Sequence, residues 1–168
     1  MNLKGFYMQK IFLTFFYVGL IKYAPGTFGS IFGAIFGFFI YQISAFTLFL
    51  ASILLFLVSI NIINNYEAKA QIHDPKFIVI DEVAGVWLAM SICGQSIIAM
   101  ILSLIFFRIF DITKPSFIGK IDKNIKGGLG VMGDDMAAGA VAGVFGAIFY
   151  NILLKFEWFI NLDQTIQI

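Results

Sequence analysis

From Phe28 to Ile63 the chain runs for 36 residues without a charged side chain. As one helix that stretch would be about 54 Å long, whereas a bilayer's hydrocarbon core is about 30 Å thick and is crossed by about 20 apolar residues. It is too long for one crossing and too apolar for a soluble surface, so it predicts a helical hairpin turning near Ser44 to Thr47. The remainder agrees. Of 168 residues 60% are hydrophobic and 12% charged, with a mean hydropathy of +0.93, against roughly 45–50% and about 25% in soluble domains. A membrane protein follows, of a length for one domain over residues 1–168.

Three more apolar runs complete the outline. Ile11 to Ile21, preceded by Lys4 and Lys10 and closed by Lys22, has the look of a secretory signal but no small-residue cleavage site, and it reads as a short retained helix. Val83 to Phe107 is uncharged and interrupted by Cys93-Gly94-Gln95-Ser96; it is either one tilted span or two short helices. Met136 to Leu154, rich in Gly and Ala, adds another span. Gly29, Gly33 and Gly37, and again Gly139 and Gly143, recur at fourfold spacing and line one helix face with small residues. That pattern lets helix backbones approach closely in lipid, where packing drives association. The expected fold is all-α: a polytopic membrane helical bundle with its charged loops gathered on one membrane face.

The scarce charge carries the functional signal. Eleven basic and ten acidic residues give a net charge of +1, which leaves no basic surplus for a nucleic-acid partner. Cys93 is the only cysteine, and it sits in an apolar run where packing explains it. Nearly all the charge lies in three segments, Lys22 to Thr27, Asn64 to Glu82, and Arg108 to Asp135. If Phe28 to Ile63 is a hairpin and Val83 to Phe107 returns, all three emerge on one side. Their Lys and Arg make that side cytoplasmic by the positive-inside rule. A single span at Val83 to Phe107 would split them.

Asp81-Glu82 and Asp134-Asp135 each adjoin the start of an apolar run. Helix N-termini welcome anions, worth about 0.3–1 kcal/mol each, so either pair alone reads equally well as capping. With Asp74 and Asp111 nearby the acids number six. Like charges about 4 Å apart repel by roughly 4 kcal/mol near a protein surface, so gathering them needs a cation. Magnesium fits, a hard ion held by carboxylates and substrate phosphate oxygens.

Arg108, Asp111 and Lys114 are three apart and would share a helix face up to Pro115. They suit phosphate binding beside a metal, and equally a salt-bridge ladder at a membrane edge. Gly127-Gly128-Leu129-Gly130 offers a flexible approach into Asp134-Asp135, and Ala24-Pro25-Gly26-Thr27 a turn that places Thr27 and Ser30 at a helix start. His73 is the sole histidine, which excludes two-histidine phosphoenzyme chemistry and multi-histidine zinc sites. Asp111-Ile112-Thr113 lacks the second Asp of aspartyl-phosphate phosphatases. What remains is a metal-activated water attacking a phosphomonoester.

On these residues the sequence resembles the phosphatidylglycerophosphatase A family. The matching motifs are Ala24-Pro25-Gly26-Thr27 with Gly29-Ser30, His73-Asp74, Ile80-Asp81-Glu82 with Gly85 and Trp87, and Phe107-Arg108 with Asp111, Lys114-Pro115, Asp122, Gly127-Gly128, Gly130, Asp134-Asp135 and Ala138-Gly139. Pro75-Lys76-Phe77 and Gly133 depart from the family's pattern, and neither removes a candidate ligand.

The resemblance implies magnesium-dependent hydrolysis of the terminal phosphate of phosphatidylglycerophosphate to phosphatidylglycerol and phosphate, in a bacterial cytoplasmic membrane. Asp81, Glu82, Asp134 and Asp135 are then expected to hold Mg²⁺, with Asp111 as a further ligand or the base that orients water. Arg108 and Lys114 would bind the phosphate, and Thr27 and Ser30 the headgroup, while the acyl chains lie along the apolar helices. The alternatives are a phosphatase for another lipid phosphate (phosphatidic acid or a prenyl phosphate) and a non-enzymatic cation carrier, which would bury its acids within spans.

Overall fold

The computed structural model describes residues 3–72, 75–94 and 96–156; His73 and Asp74, singled out above, lie outside them. The fold is all-α. Seven α-helices occur among the described residues: α1 (Leu3–Leu13), α2 (Pro25–Tyr41), α3 (Ala45–Ala70), α4 (Ile80–Cys93), α5 (Ile97–Thr113), α6 (Ser116–Asn124) and α7 (Gly128–Leu153).

The long uncharged run is the expected hairpin of α2 and α3. Pro25 opens α2, where its missing N–H costs nothing, and Ser44 caps α3 by accepting the Thr47 N–H at 2.9 Å. The run from Val83 to Phe107 is two helices. Gly94, at φ 136°, makes a turn few other residues could make, and Ser96 caps α5 by accepting the Ala99 N–H at 3.1 Å.

At the centre lies α4, whose residues from Val83 to Met90 are all buried. Both glycine ladders face it. A Cβ on Gly29 or Gly33 would come within 2.7 Å of Val79 or 3.1 Å of Val83, and the Trp87 indole donates to the Gly33 carbonyl at 2.7 Å. On the other side a Cβ on Gly139 would lie 2.3 Å from the Gly85 carbonyl oxygen, and one on Gly143 2.9 Å from that of Ala89. The packing role of the ladders is thus the one realised. Outward faces are apolar too: Leu50, Leu54 and Leu57 on α3, Ile101, Ile105 and Ile109 on α5, and Phe145, Ile148 and Ile152 on α7 are exposed. α3 and α7 are long and apolar enough to cross a membrane.

Three expectations need correction. The helix expected over Ile11 to Ile21 starts earlier, at Leu3, and stops at Leu13. Phe15, Phe16 and Tyr17 follow in left-handed conformations, because the chain leaves its helix to dock on the segment before α4, where the Val79 N–H donates to the Leu13 carbonyl. The segment from Arg108 to Asp135, read as a loop, contains α6. Finally, Asp134-Asp135 do not open a helix: α7 begins at Gly128, so the pair sits in its second turn and the capping explanation fails for it. Those glycines are helical because of their neighbours, since a Cβ on Gly128 would meet the Ile60 carbonyl oxygen at 2.3 Å and one on Gly130 that of Ile125 at 2.0 Å.

Candidate active site

α2, α4 and α7 begin, and α5 ends, around one cavity of about 650 Å³. All three polar segments line it: Pro25 and Gly26 from the first, Lys76, Asp81 and Glu82 from the second, and Arg108, Asp111, Lys114, Asp122, Asp134 and Asp135 from the third.

Asp81 and Glu82 come from the first turn of α4, and Asp135 from α7, where the Gly85–Gly139 crossing brings the two backbones together. One carboxylate oxygen from each of Asp81, Glu82 and Asp135 lies within 4.8 Å of the others. Gly26 leaves room for this, since a Cβ there would lie 2.0 Å from Glu82 Oε1. Burial, then the charge of Asp135, pushes the Glu82 carboxyl up to about 8; burial and the adjacent Glu82 push Asp81 well above the ordinary range. Buried oxygens of Asp81, Glu82 and Asp134 have no hydrogen-bond partner. Hard oxygen donors, mutually repelling and unpartnered, are what a divalent cation such as magnesium takes.

The two acids of the α7 pair face different ways, because neighbouring residues on a helix point about 100° apart. Asp135 joins the cluster, while Asp134 Oδ2 accepts from Lys114 Nζ at 2.6 Å. Lys114 also donates to Asp122 Oδ1 at 2.7 Å. Burial works against its charge, but these two carboxylates outweigh it and hold the ammonium above the usual lysine value. Lys114 ends α5 in a left-handed conformation, φ 41°, and Gly119 lets α6 come close, as a Cβ there would lie 2.8 Å from the Lys114 carbonyl oxygen.

Arg108 pairs with Asp111 one turn on, so the helical ladder and the cavity-facing role coexist. The same guanidinium donates to Ser30 Oγ at 3.1 Å and to Thr27 Oγ1 at 3.3 Å, and the Ser30 hydroxyl in turn donates to the Gly26 carbonyl at 2.8 Å. Thr27 and Ser30, expected to touch a headgroup, do not line the cavity; they hold Arg108 from behind. The buried Arg108 Nε has no partner.

Three contributors had no assigned role in the sequence reading. Asp122 reaches Lys114 because α6 is amphipathic, a periodicity visible in Phe117, Ile118 and Ile121 but masked by the surrounding lysines. Lys76 lines the cavity without an ion-pair partner among the described residues. Asn64 Oδ1 accepts the Gly128 N–H at 2.7 Å, tying α3 to the start of α7; nothing local marks it.

Comparison with known proteins adds a family. The model for phosphatidylglycerophosphatase A matches residues 11–150. The phosphatidylglycerophosphatase A of Haemophilus influenzae is 36% identical over 129 residues, covering 74% of this chain and 77% of that one. That of Escherichia coli is 29% identical over 126 residues, covering 74% and 73%. A Bacteroides thetaiotaomicron protein with the provisional name phosphatidylinositol-3-phosphatase is 34% identical over 137 residues, covering 77% and 86%. No solved structure matches the chain.

Proposed function

Since the chain belongs to the phosphatidylglycerophosphatase A family, we propose that it is a membrane-embedded phosphoric monoester hydrolase that converts phosphatidylglycerophosphate to phosphatidylglycerol and phosphate with Mg²⁺. The observation that carries this is the meeting, in one cavity, of the clustered carboxylates of Asp81, Glu82 and Asp135, two of them with unpartnered buried oxygens, with the cations of Arg108 and Lys114.

Asp81, Glu82 and Asp135 would hold the ion, while Asp134, which carries the Lys114 ion pair, lines the same cavity. Bound there, magnesium lowers the pKa of a water and offsets charge on the phosphate oxygens. Arg108 binds and orients the phosphate through its fork, kept in register by Thr27, Ser30 and Asp111. Lys114 steadies charge growing on the phosphoryl oxygens and is itself fixed by Asp122 and Asp134. Asp111 takes the proton of the attacking water; its lining of the cavity and its anchorage by Arg108 support that role.

The bundle spans the bacterial cytoplasmic membrane several times with the cavity at the cytoplasmic side. The exposed apolar faces of α3, α5 and α7 and the lysines around the cavity end support this. The carrier alternative asked for acids within spans, and Asp134-Asp135 do lie within α7. Family membership decides for hydrolysis. The name of the Bacteroides relative favours a second reading, another lipid phosphate as substrate.

Purified protein in detergent, given phosphatidylglycerophosphate or phosphatidic acid, should release phosphate preferentially from the former, lose that activity in chelator and regain it with Mg²⁺. Release indifferent to chelation would sink the metal site; preference for phosphatidic acid would replace the substrate. Lys76 is suited to the second, diester phosphate of phosphatidylglycerophosphate. Lys76→Ala should therefore raise KM about tenfold, roughly 1.4 kcal/mol, with kcat little changed. A fall in kcat alone would place Lys76 in the chemistry instead.

A further inference from the structure

We infer that the seam between α2 and α5 is an acyl-chain subsite, in line with the phosphate cavity, which admits one chain of the lipid phosphate sideways from the bilayer. This rests on the reading of the cavity as a lipid-phosphate site. A second cavity of about 310 Å³ lies on that seam. Ala34 and Phe38 of α2 and Ile101 and Leu104 of α5 form its walls, and Met90 and Met100 its floor. Both methionines are buried, and their flexible thioethers suit an occupant without fixed shape.

The order of stations along the two helices identifies the occupant. On α2, Gly26 lines the phosphate cavity, Thr27 and Ser30 hold Arg108, and Ala34 and Phe38 follow in the groove. On α5, which runs the other way, Ile101 and Leu104 line the groove, and Arg108 and then Asp111 line the cavity. The offset from groove to cavity is about 12 Å on α2, Ala34 back to Gly26, and about 10 Å on α5, Leu104 on to Asp111, at about 1.5 Å per residue. A molecule lying along the seam therefore meets apolar wall, then the Arg108 clasp, then cations and carboxylates. A lipid phosphate has that sequence of chemistry along its length: chain, glycerol, phosphate. The glycines of α2 face α4, and Ala34, about 100° further round than Gly33, keeps the groove open where a larger residue would close it.

The test fills the groove. Ala34→Phe and, separately, Leu104→Trp are assayed beside the unaltered chain on dioleoyl and dihexanoyl lipid phosphates sharing one headgroup. We expect kcat/KM on the dioleoyl substrate to fall at least tenfold, mostly through KM, with the dihexanoyl substrate changed less than twofold. An unchanged dioleoyl reaction, or equal losses on both, overturns the subsite. A readout without turnover is photolabelling by a lipid phosphate carrying a mid-chain diazirine. Labelling of Met100 and Leu104 should exceed that of Leu54 on the outer face of α3, and be displaced by unlabelled lipid phosphate but not by phosphatidylcholine. Labels spread evenly, or displaced equally by phosphatidylcholine, mean that the groove holds bulk bilayer lipid and overturn the proposal. Displaceable labelling in a protein that hydrolyses neither substrate would support the subsite and defeat the hydrolytic reading.

Discussion

Asp135→Asn is expected to cut phosphate release by roughly 10³-fold, on the order of 4 kcal/mol in the barrier, while the bundle should stay folded and, in metal-free buffer, melt at a higher temperature than the unaltered protein. The two effects have one cause. Asp135 shares a space with Asp81 and Glu82 in which carboxylate oxygens lie within 4.8 Å of one another; without a cation the fold either bears the repulsion, about 3 kcal/mol per ionised pair at an effective dielectric of 20, or takes up protons against the pH, as the raised carboxyls of Asp81 and Glu82 record. Without a cation the cluster destabilises the fold, and an amide of the same shape relieves it. With Mg²⁺ the order should reverse: an unaltered protein that binds the ion at this cluster would gain stability by mass action, and the variant, lacking a donor, would gain little. Thermal unfolding with and without Mg²⁺, beside a phosphate-release assay, checks both halves. A variant that melts lower than its parent in metal-free buffer would show that Asp135 supports the fold by contacts other than a shared ion.

Gly139→Leu should prevent the bundle from forming. The new Cβ would stand 2.3 Å from the Gly85 carbonyl oxygen, a backbone atom that cannot rotate away. Overpacking of flexible cores typically costs 1–3 kcal/mol; against backbone at the crossing of α4 and α7 the cost exceeds that. Gly133→Ala is the matched control on the same helix. Its Cβ would meet only Ile121 Cγ2 at 3.4 Å, and replacing a helical glycine should stabilise by about 0.5–1 kcal/mol. Monodisperse yield in detergent and thermal midpoints separate the two. A well-folded Gly139→Leu protein would mean that the α4–α7 contact is not the hinge of the fold.

Much of the architecture is legible in the sequence because its signals are local. The α2–α3 turn is written in Ser44 and Thr47, the α4–α5 break in Gly94 and Ser96, and the contact faces in the glycine ladders. The inventory of the site is legible for a similar reason, as few charges exist to choose from. Their assignment is not. Asp134 and Asp135 look like one pair, but helix geometry sends one to Lys114 and the other to the carboxylate cluster. Thr27 and Ser30 look available to a headgroup, yet a partner about eighty residues away claims them. The start of α7 is hidden since Gly127, Gly128 and Gly130 read as loop, and only Ile60, Asn64 and Ile125, brought there by the fold, explain glycine inside a helix.

The modest lengths of the helices that form the seam have a further consequence. α2 and α5 have 17 residues each, about 25 Å of helix, less than the roughly 30 Å of a bilayer's hydrocarbon core. Such hydrophobic mismatch is relieved by local thinning of the bilayer, at a modest cost per ångström. In the membrane-embedded arrangement proposed above, the leaflet would dip where α2 begins and α5 ends, the same end that carries the carboxylates. Headgroups would thereby be lowered to the depth of Asp81, Glu82 and Asp135, and a phosphate would reach Arg108 without its lipid being lifted out of the membrane.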